Sequence, residues 1–142
     1  MYIIRKIEVN DYNKKYVDLL SQLSIVDSKD ITFEKFISYI GTLHNKHMIY
    51  VIENNNSIIS TITIIIEDKI IHNMGRVMHI EDVIVDKNYR GEGLGKMLLQ
   101  YAIDIAEKEK CYKIILNCNK ENREFYEKCD FIKKNIQMAK YI

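Results

Sequence analysis

Three of the five glycines in this 142-residue chain, Gly91, Gly93 and Gly95, fall inside one five-residue window. The window follows a run with strand character, His79 to Val85. It opens a run whose apolar positions, Leu94, Met97, Leu98, Tyr101 and Ile105, have the spacing of an amphipathic helix ending near Lys110. A strand that turns through glycines into a helix leaves few choices of local geometry. The start of a helix exposes unpaired N–H groups and the positive end of its dipole. Glycines let successive N–H groups turn toward one anion and let that anion come close. A phosphate or pyrophosphate is the natural guest, with Arg90 and Lys96 adding charge. The plain alternative is a tight turn with no ligand.

The rest of the chain frames this loop. Tyr2 to Glu8 has strand-like content, and Asn10 or Asp11 is placed to cap a helix running to about Leu23. Asp30 or Thr32 opens a second helix through Phe33, Phe36, Ile37, Ile40 and Leu43. His47 to Ile52 and Ile58 to Glu67 read as a hairpin around Asn54-Asn55-Asn56-Ser57, because Asn tolerates the left-handed backbone of tight turns. Lys69 to Val77 reads as a loop, Tyr112 to Cys118 as a strand, Asn122 to Lys128 as a short helix, and Phe131 to Ile142 as one or two terminal strands. This order gives a single α/β domain over residues 1–142, with helices flanking a mixed sheet.

Composition excludes several classes of function. The net charge of +1 argues against a nucleic-acid partner, which normally calls for a basic face. No apolar run approaches the ~18 residues of a membrane span, and Met1 to Lys6 lacks the layout of a signal peptide. A cytoplasmic setting is therefore expected. Cys111, Cys118 and Cys129 form no C-x-x-C pair, so neither a zinc site nor a disulfide framework is expected; no metal is, and the thiols read as reduced and mostly buried.

The loop distinguishes among phosphate motifs. A P-loop needs G-x-x-x-x-G-K-[ST], but here Arg90 stands at the first glycine and Met97 follows Lys96. The dinucleotide fingerprint G-x-G-x-x-G fails at Lys96. The pattern that fits is R-x-x-G-x-G, as Arg90, Gly93 and Gly95, and it resembles the pyrophosphate motif of the GNAT acetyl-CoA-dependent N-acetyltransferases. Three further stretches narrow the likeness: Lys69-Ile70-Ile71-His72-Asn73, His79 to Val85, and Cys111 to Cys118 with Asn122 and Phe125-Tyr126-Glu127-Lys128-Cys129. Over residues 69 to 131 the chain is similar to the eukaryotic-type glucosamine 6-phosphate N-acetyltransferases of that family.

The resemblance implies a fold, a reaction and a set of roles. The fold is a mostly antiparallel sheet, splayed at the cofactor site and flanked by helices. The reaction is transfer of acetyl from acetyl-CoA to the amine of D-glucosamine 6-phosphate, a step toward UDP-N-acetylglucosamine, by a homodimer with exchanged terminal strands. The cofactor contacts implied are the backbone of Val83, Ile84 and Val85, the loop Arg90, Gly91, Glu92, Gly93, Leu94, Gly95 and Lys96, and the side chains of Asn117, Asn122 and Tyr126. A bulge is expected to open the sheet beside Val83, whose N–H or that of Ile84 would polarise the acetyl carbonyl. Tyr126 is placed to protonate the leaving thiolate, and Glu81 to take a proton from the amine directly or through water. Ser24, Lys69, His72, Glu81, Asp82, Tyr112 and Lys113 are implied at the sugar phosphate. Because Glu81 and Asp82 are adjacent, an ordinary strand would point them to opposite sides.

Three positions depart from that pattern. Asn117 stands where a carboxylate is usual, and an amide accepts no proton at neutral pH. Asp130 replaces a turn glycine, and Tyr141 stands where an Arg commonly meets the phosphate, with Lys140 beside it as a substitute. Two other readings stay open at this point: a GNAT enzyme acting on another amine, such as a peptide N-terminus, a lysine or a small amine, and a catalytically silent acyl-CoA-binding module.

Overall fold

The computed structural model describes residues 1–142. Five strands, β1 (Ile4–Lys6), β2 (His47–Asn54), β3 (Ser57–Asp68), β4 (Arg76–Val85) and β5 (Cys111–Ile115), form one sheet in sequence order. The helical segments are α1 (Tyr16–Leu20), α2 (Phe33–Ile40), the single turn α3 (Ile71–Met74), α4 (Leu94–Lys108) and α5 (Arg123–Glu127). Strands β1 to β4 pair antiparallel, whereas β5 runs parallel to β4. A parallel neighbour requires a crossover, and the glycine loop with α4 supplies it. The expected α/β class and mixed sheet are found.

Both faces of the sheet are covered, which explains the almost unbroken isoleucine run in β3. One face sets Tyr50, Ile52, Ile62, Ile64, Met78 and Ile80 against Leu94, Leu98, Leu99 and Ala102 of α4. The other sets Ile7, Ile49, Val51 and Ile84 against Tyr16, Leu19 and Phe36 from α1 and α2. The β2–β3 hairpin turns through Asn55 and Asn56, both left-handed, as the asparagine cluster predicts.

Several local expectations are corrected. The first helix is not continuous from Asn10 or Asp11 to Leu23. A 3-10 turn, Val9–Lys14, ends at left-handed Lys15, and only then does α1 begin. The cause is Asp11, whose fully buried carboxylate is drawn back to the sheet. Arg5 donates to it from both Nη1 (2.9 Å) and Nη2 (2.7 Å), and the N–H of Glu8 donates to it at 2.8 Å. Arg5 also meets Glu53 at 2.6 Å, and Lys14 meets the same carboxylate at 2.8 Å. The loop expected at 69–77 is a turn whose residues His72, Asn73 and Met74 are left-handed at φ +54°, +56° and +61°, and β4 begins at Arg76 rather than His79. Strand β5 ends at Ile115 rather than Cys118. No thiol is fully buried, since Cys118 is exposed and the other two are half-buried. Residues 131–142 form no strand in this chain; Ile132, Ile136, Met138, Tyr141 and Ile142 stand exposed, and the segment pairs with none of the sheet's own edges.

Burial of the Tyr16 phenol under α1 pushes its pKa up to about 12. The folded value lies above the unfolded value near 10, so this contribution to stability is complete below about pH 10 and is lost as pH rises through about 12. The fall in stability between pH 9 and pH 11.5, followed by urea unfolding, should therefore be smaller in Tyr16→Phe than in wild type by on the order of 2 kcal/mol. An equal fall in the variant would exclude Tyr16 as the cause.

Candidate active site

The site is built where β4 leaves the ladder. Thr63 pairs with Glu81 and Thr61 with Ile84, so Asp82 and Val83 together oppose the single residue Ile62. This β-bulge is accommodated by Asp82 in a left-handed conformation, φ +49°. The pairing of β4 with β5 ends at His79 and Ile115. Beyond that point the outer edge of β4 is free, and the backbone groups between Ile80 and Val83 that point away from β3 are open to an extended ligand, whereas the carbonyls of Ile84 and Val85 already accept from Ser60 Oγ (2.9 Å) and Arg90 Nε (3.2 Å). Ile84 lies buried under α1, while Val83 and Val85 pack on the α4 core, so their side chains hold the strand and leave the backbone to face the opening.

A cavity of about 250 Å³ occupies this opening. Six of the expected residues line it: Glu81, Asp82, Val83, Asn117, Asn122 and Tyr126. Glu81 and Asp82 both border this cavity, and the charge of Asp82 also acts on the Tyr16 and Tyr39 phenols on the α1–α2 side of the sheet, raising their pKa values, which agrees with the expectation that the two carboxylates diverge. Asp82 also borders a second, largely apolar cavity of about 260 Å³ beneath α1 and α2. Asn122 starts α5 without donating or accepting a side-chain cap bond, which leaves its amide to the cavity. Burial raises the pKa of the Tyr126 phenol, with the neighbouring Cys118 and Cys129 thiols adding to the effect. Leu23 borders the cavity, and Ser24 beside it does not. Leu23, Cys118, Asn119 and Gln137 line it without having been anticipated. Cys118 was within reach of sequence reasoning, as it directly follows Asn117; nothing local marks Gln137.

The glycine loop has the geometry of an anion cradle. Gly91 and Gly93 are left-handed at φ +85° and +83°, a conformation that side chains rarely adopt. Gly91 is thus as constrained as Gly93, although it sits at a variable position of the motif. Gly93 precedes α4 with no side-chain cap, so the first N–H groups of this 15-residue helix remain unpaired. Gly95 serves a different purpose: an added Cβ would meet the ring of Phe125 at 3.0 Å. That contact seats α5, and with it Tyr126, against the start of α4. Arg90 folds back, its Nε donating to the carbonyl of Val85 at 3.2 Å, and Lys96 is exposed on the first turn of α4. Asp130 is left-handed at φ +67°, so it serves in the turn where a glycine is usual.

The remaining expected residues gather elsewhere. The rings of His72 and Tyr112 stack with centroids 4.2 Å apart, and the Lys113 ammonium lies 5.7 Å from the Tyr112 ring. Lys69 pairs with Glu67 at 2.8 Å, which holds its ammonium above the usual lysine range. Gly75 permits the stack, because a Cβ there would fall 2.8 Å from the Tyr112 ring and 2.9 Å from the His72 carbonyl. Within the chain this cluster does not join the cavity. Lys113 is opposite Val77, and Glu81 lies four residues further along β4, roughly 13 Å away at the rise of a strand. Lys140 and Tyr141 belong to the exposed C-terminal segment.

Residues 9–131 match the family model described as the acetyltransferase (GNAT) family. The chain is 42% identical over 141 residues to a glucosamine 6-phosphate N-acetyltransferase of Arabidopsis thaliana, covering 97% of this chain and 95% of that one. It is 39% identical to a probable glucosamine 6-phosphate N-acetyltransferase 2 of Oryza sativa subsp. japonica, over 97% of this chain and 86% of the relative. The crystal structure of glucosamine-6-phosphate N-acetyltransferase from Arabidopsis thaliana superposes with a TM-score of 0.94 at 40% identity, covering 99% of this chain and 98% of that one. With the bulged fourth strand, the cavity beside it and the uncapped glycine loop, these likenesses lead to one conclusion: the chain belongs to the GNAT acetyltransferase family.

Proposed function

We propose that this protein transfers acetyl from acetyl-CoA to the amine of D-glucosamine 6-phosphate, releasing CoA and N-acetyl-D-glucosamine 6-phosphate. The observation that carries the reading is identity to the Arabidopsis enzyme spread along nearly the whole of both chains. The chain's own features agree with it. The unpaired N–H groups before and within α4 suit a pyrophosphate, and the free edge of β4 suits an extended pantetheine arm. Lys69, His72 and Lys113 suit a sugar phosphate, a cationic grouping that a peptide or lysine acceptor would not call for.

The chemistry follows from the residues around the cavity. Glu81 accepts a proton from the substrate ammonium directly or through water, which frees the nitrogen lone pair. Asn117, a neutral amide, cannot do this. The N–H of Val83 or Ile84 donates to the acetyl oxygen as the amine adds to the carbonyl carbon. Tyr126 then donates its proton to the sulfur as the carbon–sulfur bond breaks, and the second proton that the nitrogen sheds as the amide forms returns through water to the phenol. Burial keeps that phenol protonated through neutral and mildly alkaline pH.

The separation of the cationic cluster from the cavity fits a homodimer in which each subunit's cluster faces its partner's cavity. Two features favour this arrangement: the unpaired outer edge of β5, and the exposed apolar residues of 131–142, which have the composition to pair with it. With three free cysteines and no disulfide, we place the reaction in the cytoplasm, as a supply of N-acetylated sugar phosphate toward UDP-N-acetylglucosamine.

A thiol-release assay with acetyl-CoA tests the substrate. Glucosamine 6-phosphate should turn over with kcat/KM on the order of 100-fold above that of glucosamine, since two charge-assisted contacts are lost with the phosphate. Absence of turnover with the phosphorylated sugar would overturn the reading. Equal rates with both sugars would remove the phosphate contacts.

A further inference from the structure

We propose that Tyr2 is a positioning residue for the cofactor loop: it pins the carboxylate of Glu92 away from the α4 N-terminus, so that the loop is free to take an anion. This rests on the family reading of the loop as a pyrophosphate site. Glu92 is the one acidic residue in the stretch from Arg90 to Lys96, and it immediately precedes Gly93, the cap position of α4. A carboxylate just ahead of a helix is drawn to the unpaired N–H groups and the positive dipole end of the first turn. Those same groups are the ones a pyrophosphate needs. Glu92 is therefore a competitor built into the cradle.

The structure shows it held elsewhere. The Tyr2 hydroxyl donates to Glu92 Oε2 at 2.7 Å, across 90 residues of sequence. That bond is also the first cause of a raised Tyr2 pKa, so the phenol remains a donor at all physiological pH values. Tyr2 is well placed to act as a fixed post. Its ring packs at the margin of the main core, and two residues later β1 enters the sheet at Ile4. A second tie reaches the same loop from the hairpin, where Asn54 Nδ2 donates to the Tyr89 hydroxyl at 3.3 Å. The α4 N-terminus itself carries no side-chain cap, which is the state this tether would preserve.

Tyr2→Phe keeps the packed ring and removes only the donor. Calorimetric titration with CoA should show about five- to ten-fold weaker binding than wild type, with the thermal midpoint changed by less than about 2 °C. In a Glu92→Gln background the competing charge is absent, so adding Tyr2→Phe should change the CoA Kd by less than about two-fold. An unchanged Kd in the single variant would overturn the proposal, and so would an equal loss in the Gln background, because the tether would then act through something other than the carboxylate. Wild-type protein that fails to bind CoA would remove the underlying cofactor reading, and the proposal with it. No amine acceptor enters these titrations, so the outcome is independent of which amine is acetylated.

Discussion

Tyr126→Phe is expected to lower kcat for acetyl transfer about 100-fold or more, while KM for each substrate stays within about three-fold of wild type. The substitution removes one hydroxyl from the cavity and keeps the ring that packs edge-on against Phe125 (centroids 5.0 Å apart) and Phe131 (6.1 Å). Helix α5 stays seated through Phe125 on Gly95, so the cavity wall should survive. What disappears is the donor to the departing sulfur, an interaction made as the carbon–sulfur bond breaks and hardly at all in the bound ground state. Such an interaction appears in kcat rather than in KM. The pH profile gives an independent check. Burial raises the Tyr126 pKa above its ordinary value near 10, so the protonated form persists up to that value and the alkaline decline of kcat due to this group begins only above it. Wild type should show that decline above about pH 10 and the Phe variant should lack it. Single-turnover measurement separates the chemical step from product release. A single-turnover rate equal to wild type would take Tyr126 out of the chemistry.

The parts of the fold that were legible in the sequence are those fixed by neighbours along the chain. The Asn54–Ser57 turn, the Thr32 cap of α2 and the glycine loop before α4 each depend on the backbone preferences of a few adjacent residues. The parts that were not legible depend on partners far away. Asp11 has the look of a helix cap, and only the arrival of Arg5, itself held by Glu53, turns it inward and breaks the helix at Lys15. The C-terminal residues 131–142 have the composition of strands, but a strand exists only where it pairs, and this segment pairs with no edge of its own sheet.

The same division runs through the site. Gly93 could be named from the local glycine pattern, and Asn122 and Tyr126 from the family resemblance, because each lies in one short continuous stretch of chain. The position of Asp82, which borders two cavities, could not, since it comes from a mismatch of register between β3 and β4. A period-two pattern places neighbours on opposite faces, and a bulge locally interrupts it. Gly75 is a similar case. It has an ordinary φ of −71°, so no turn preference marks it, and its need is set by the Tyr112 ring arriving from a strand 37 residues later.

Asp11→Ala is expected to cost about 3–5 kcal/mol of folding stability, the range for removing one partner of a buried ion pair. The carboxylate is fully buried and holds three donors: both Nη atoms of Arg5 and the N–H of Glu8. Its loss leaves the Arg5 guanidinium, whose own surroundings are mostly protein, with Glu53 as its only remaining acidic partner. It also releases the turn Val9–Lys14 that delivers α1 to the sheet. For a domain of this size the thermal midpoint should fall by roughly 10 °C or more. Asp11→Asn keeps the shape and an acceptor but not the charge, so its loss should be smaller. If the pair acts as a unit, Arg5→Met combined with Asp11→Leu should be less destabilised than the sum of the two single variants, because no unpaired charge is left behind. Urea unfolding of the four proteins measures this directly. A loss below about 1 kcal/mol for Asp11→Ala would mean that the carboxylate is solvated rather than buried, and the break at Lys15 would then need another cause.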